Sequence, residues 1–138
     1  MRAGLVLKPS IALVAASLLG CSSEPLQPVN ERVYQAEWIS GKPRLHHSHP
    51  TLILGEDGRA YGNGGCNHWF AAYSLEAEKL SFSQLGSTRK MCEPSVMAQE
   101  QTFFALISQV LRWDFSSEEQ LRLWPAEGKP LRLDPAKE

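Results

Sequence analysis

No apolar run in this chain is long enough to cross a membrane as a helix, which takes about 20 largely apolar residues. The apolar stretch Ile11 to Leu19 is preceded by Lys8 and Pro9, which cut it short. Charge of one sign is also missing. Fourteen Lys and Arg stand against 15 Asp and Glu, so there is no basic excess of the kind that nucleic acid binding calls for. Catalytic signatures are absent too: there is no Gly-x-Ser-x-Gly, no phosphate-cradling loop and no His-Glu-x-x-His. Ser, His and acidic residues occur, but no motif groups them, so the sequence points away from an enzyme and asks for no cofactor.

What is there begins at the N-terminus. Arg2 and Lys8 precede the apolar stretch, and Leu18-Leu19-Gly20-Cys21 closes it. A positive end, an apolar middle and a small residue before a cysteine form the grammar of an export signal. The four residues resemble the lipobox of bacterial lipoproteins, in which residues 1–20 are removed and Cys21 is lipidated. One acyl chain anchors marginally and two or three anchor durably. Ser22, not aspartate, follows Cys21, a pattern that goes with delivery to the outer membrane. The expected address is therefore a lipid anchor with the domain facing the periplasm.

Loss of residues 1–20 removes two of the 14 basic groups, leaving 12 against 15 acidic ones and a charge near −3. Residues 21–31, with Pro25 and Pro28 and little apolar content, read as a tether. The remainder suffices for one domain, over residues 32–134. With Cys21 lipidated, Cys66 and Cys92 are the other thiols. An even pair in an oxidising compartment reads as a structural disulfide. The alternative, a redox-active pair, fits less well because catalytic dithiols usually sit two residues apart.

Short strands separated by turn signals fill most of the domain. Val33 to Ser40 ends at Gly41-Lys42-Pro43. Thr51 to Leu54 and Arg59 to Gly62 flank Gly55-Glu56-Asp57-Gly58 as a hairpin. Gly62, Gly64 and Gly65 crowd Asn63, marking a bulge or a close backbone approach. Trp69 to Leu75 and Leu80 to Leu85 alternate loosely. Leu121 and Leu123, then Leu131 and Leu133, alternate with Arg122, Arg132 and other polar residues. Between these, Pro94 to Leu111 carries apolar residues at helical spacing, with Pro94 at the first position and Glu93 as cap or dipole partner. Many strands with one helix predict a mainly β (α+β) fold, an antiparallel curved sheet or small barrel with the helix packed on it.

Glu100 falls on the apolar face of that helix, four residues after Val96 and three before Phe103. A carboxylate there needs a partner, and Arg89 just upstream is the candidate for a structural ion pair. His46, His47 and His49 lie close together and form a candidate metal site, with His68 elsewhere in the chain; the Cys66 thiolate, if reduced, would add a ligand. The surface candidates for a partner are the loop from Lys42 to Pro50 and the aromatics Trp69 and Phe70, with buried core as the alternative account of the two aromatics.

Gly65-Cys66-Asn67, the aromatic run to Tyr73, Ser87-Thr88-Arg89-Lys90-Met91-Cys92, and Met97 with Glu100 and Phe103 follow one another in order. Together with Trp38 and the closing leucine strands they resemble the META domain, the family of the heat-shock protein HslJ. Ala71 departs from the pattern, which often has glycine two positions before the tyrosine. The resemblance implies a small β-rich fold with a helix and pairing of Cys66 with Cys92. It implies association with envelope stress and brings no catalytic residue. The expectation is a non-enzymatic envelope lipoprotein that binds an envelope component, with metal handling or small-ligand binding as the alternative.

Overall fold

A computed structural model describes residues 3–6, 8–14 and 26–137. The Leu18 to Cys21 segment and the first part of the tether lie outside the described residues. None of the described helices is long and apolar enough to cross a membrane.

The strands are β1 (Tyr34–Ile39), β2 (Lys42–Pro43), β3 (Thr51–Leu54), β4 (Arg59–Asn63), β5 (His68–Glu76), β6 (Lys79–Ser87), β7 (Val110–Phe115), β8 (Leu121–Pro125) and β9 (Leu131–Pro135); the helix α1 is Pro94–Gln109. All pairings are antiparallel, in the order β2-β1-β3-β4-β5-β6-β7-β8-β9, and β1 also pairs with β9. That last pairing closes a barrel of eight strands, with the two-residue β2 as a flap on β1. The seam between β6 and β7 is thin, one register pair at Lys79 and Arg112, and the chain passes through α1 between them.

Alternation explains which side chains fill the barrel. In β8 and β9, Leu121, Leu123, Leu131 and Leu133 are fully buried, while Arg122 and Arg132 lie on the outer face. Trp69 is fully buried from β5, edge-on to Phe82 and Phe103, and its indole N–H donates to the Thr51 carbonyl at 2.9 Å. Gly62 is the close approach expected: a Cβ there would stand 2.3 Å from that same carbonyl oxygen. Trp69 is therefore core and offers no partner surface, whereas Phe70 is about half exposed, its ring lying across Gly86.

Helix α1 starts at Pro94 behind Glu93, whose side chain makes no capping hydrogen bond. Its buried face is Val96, Glu100, Phe103, Leu106 and Ile107, packed on β6, β1, β8 and β9. It ends at Gln109, two residues before Leu111. From Val110 the chain is extended and pairs with β8, so Val110 and Leu111 belong to a strand. Lys42 and Pro43, expected only to break β1, form β2 after a two-residue turn. Ser40 and Gly41 there both have positive φ, 52° and 82°, the twist that suits a tight hairpin.

Candidate functional site

The motif residues converge where α1 meets the loops flanking β5 and β6. Glu100 is 2% exposed. Its Oε2 accepts the backbone N–H of Cys66 at 2.9 Å and of Asn67 at 2.6 Å, and its Oε1 accepts Asn67 Nδ2 at 2.7 Å. Asn67 carries the network onward. Its Oδ1 accepts the Lys90 N–H and the Thr88 hydroxyl, and its Nδ2 also donates to the Lys90 carbonyl. Cys66 is bonded to Cys92, with Cα atoms 6.1 Å apart. Gly64 is held against the same carboxylate, since a Cβ there would fall 2.5 Å from Phe104 and 2.7 Å from Glu100 Oε2.

The expected ion pair is thereby corrected. Glu100 is buried and partnered as its place on the helix requires, but the partners are amide donors and not Arg89. Arg89 is exposed, and among the described residues it forms no ion pair. Backbone N–H groups satisfy the carboxylate without bringing a second charge into the core. What sequence reasoning missed is Asn67, and the available signal was its place in Gly-Cys-Asn.

The histidines also part from expectation. His46, His47 and His49 are all exposed, and no group of three His, Cys, Asp or Glu among the described residues is arranged to hold a metal. Cys66 is in the disulfide and is no thiolate ligand. His47 Nε2 instead meets the Glu93 carboxylate, and this bond, with the Ser95 hydroxyl, holds Glu93 below the usual carboxylate range. The loop itself is tied down. Gln99 accepts the Leu45 N–H at 2.6 Å and donates to Ser48 Oγ, which donates to the Gly65 carbonyl.

A second cluster lies on the outer face of β1, β9, β8 and β7. The register pairs Trp38 with Arg132, Arg132 with Arg122, and Arg122 with Asp114 form one row across four strands. Arg112 pairs with Trp124 beside it. Arg122 grips Asp114 through Nε and Nη2 at 2.7 and 2.8 Å, and the Trp124 indole donates to the same carboxylate. Burial pushes Asp114 upward, but the hydrogen bonds from Arg122 and Trp124 and the charges of Arg122 and Arg112 outweigh it, so its pKa lies below the ordinary value. A cleft of about 460 Å³ opens over the Trp38, Arg132 and Arg122 part of this row.

A family model for the META domain matches residues 26–138. The chain belongs to the META domain family. An NMR structure resembles this META domain with a TM-score of 0.62 at 23% identity, over 78% of this chain and 91% of that one. A second, of a protein from Burkholderia xenovorans, has a TM-score of 0.61 at 22% identity, over 86% of this chain and 97% of that one. At these identities the likeness is one of fold. No curated protein matches the chain. The META match starts at residue 26 and ends beyond β9, enclosing every strand and the helix described.

Proposed function

We propose that this META-domain protein is a lipid-anchored component of the bacterial outer membrane whose domain faces the periplasm and acts by binding, without catalysis. The observation that carries the reading is the order Leu18-Leu19-Gly20-Cys21 after a short apolar stretch, which suits a chain cut and lipidated at Cys21. Supporting a binding role, the polar motif residues are engaged inside the domain: the acceptors of Glu100 and Asn67 hold backbone amides, the Asn67 side chain and the Thr88 hydroxyl. Groups tied down in this way are positioned to lock loops, and a surface is left to do the recognising.

The test is Cys21→Ala in cells. The native chain should incorporate radiolabelled palmitate and sediment with outer membranes. The variant should take up no label and should leave the outer-membrane fraction. A native chain that is neither labelled nor membrane-bound would refute the anchor.

A further inference from the structure

The cleft over the outer row carries an unbalanced charge. Arg122, Lys129 and Arg132 line it together with Trp38, Trp124 and Pro130, and among the described residues no acidic one does. This is a basic concavity on a chain whose net charge is −1. Arg122 and Arg132 stand directly opposite each other on neighbouring strands, a like-charge pairing that weakens a sheet. Asp114 compensates Arg122 through a two-point ion pair. Among the described residues, Arg132 has no such counter-ion. Its Nε donates to the neutral Gln120 side chain at 2.7 Å, and Gln120 in turn donates to Asp134.

The aromatic groups set the directions of these cations. The Arg132 guanidinium lies 5.5 Å from the Trp38 ring centre, and those of Arg112 and Arg122 lie 4.7 and 5.3 Å from that of Trp124. Such cation–π contact, with the Nε hydrogen bond to Gln120, restrains the Arg132 guanidinium while leaving its terminal nitrogens open to hydrogen bonding. The terminal nitrogens of Arg132 make no hydrogen bond among the described residues, and neither does the Lys129 ammonium. The Lys129 stem is itself placed, since its Cδ lies 2.6 Å from where a Cβ on Gly41 would stand.

A fixed planar fork with a free ammonium beside it matches a carboxylate. Indole and proline surface matches the apolar C–H face of a ring, and about 460 Å³ is in the range of small-ligand sites. We infer that this cleft binds a saccharide bearing carboxylates, the acid held by Arg132 and Lys129 and the ring set against Trp38 and Pro130. The inference rests on the binding-module reading for its context but not on the lipid anchor, so a failed membrane-fractionation result would leave it standing.

The experiment is titration of the full chain with digalacturonate, read by tryptophan emission and by NMR shifts of the Trp38 and Trp124 indole N–H. Neutral maltose, citrate and phosphatidylglycerol-containing vesicles serve as comparisons. Digalacturonate should bind saturably, shift both indoles, and bind about tenfold or more tightly than maltose or citrate. Arg132→Gln and Lys129→Gln should each weaken it about tenfold, with thermal melting unchanged for Lys129→Gln. Arg132→Lys, which keeps the charge but loses the fork, should rescue only partly. Absence of saturable binding up to about 10 mM, equal affinity for maltose or citrate, or indifference to Lys129→Gln would overturn the inference. So would vesicle binding without sugar binding, which would transfer the cleft to an anionic lipid surface.

Discussion

Glu100 is the residue on which the junction of helix and loops depends. Removing its side chain leaves the amides of Cys66 and Asn67 buried without acceptors, and each such donor costs about 1–3 kcal/mol. Glu100→Ala should therefore lower unfolding free energy by about 3 kcal/mol or more, read from the denaturant midpoint. Glu100→Gln should lose less, because its oxygen can still take the two amides while its NH2 group faces Asn67 Nδ2. A melt of either variant equal to the native one would refute the lock. The sequence made the burial of Glu100 legible through its position between Val96 and Phe103. Its partner was not legible, because sequence reading counts charged side chains and overlooks backbone N–H groups. Those donors are brought to the carboxylate only once Gly64 and Gly65 (φ 114°) have bent the chain.

At the scale of elements, the disulfide ties the loop before β5 to the segment before α1. It closes a loop of 26 positions, for which chain entropy gives a stabilisation of about 3–4 kcal/mol. The Cys66→Ala/Cys92→Ala double variant should lose about that much in urea, and reduction of the native protein should bring it to the same midpoint. Unequal midpoints would mean that the free thiols or the packing of the alanines contribute independently. The pairing and most strands could be read from residue types, since Leu-Arg-Leu at 121–123 and 131–133 alternates with the pleat. β7 could not. Val110 and Leu111 continue the apolar spacing of α1, and what ends the helix is tertiary: the extended chain from Val110 pairs with β8. The outer row was half visible, for Arg122 and Arg132 clearly shared a face, but their opposition in register depends on strand pairing.

For the whole molecule, acid should be resisted in part through Asp114, which ties β7 to β8. Its pKa is lowered in the folded state, so the unfolded chain takes up this proton at a higher pH than the folded one. The stability it contributes is fully present above the ordinary carboxylate value of about 3.9. That contribution is lost as the pH falls through the lower, folded value. Asp114→Asn should thus be less stable than the native protein at neutral pH, and the two stability curves should converge in acid. Parallel curves in urea titrations from neutral pH into acid would show that Asp114 is not the group responsible. A barrel or curved sheet with a packed helix was foreseeable from the strand-rich pattern. Closure was not, because the β1–β9 pairing joins segments almost a hundred residues apart, a distance that local patterns do not reach.

That closing pair has a consequence for timing. Tyr34 to Trp38 find their partners on one side only in Arg132 to Pro135, so a nascent chain cannot complete its cylinder until its final strand has arrived. Until then the flank of the opening strand is bare and the leucine interior has no wall. A barrel built this way stays threadable until β9 has been made and commits to its shape late, once the closing strand is present.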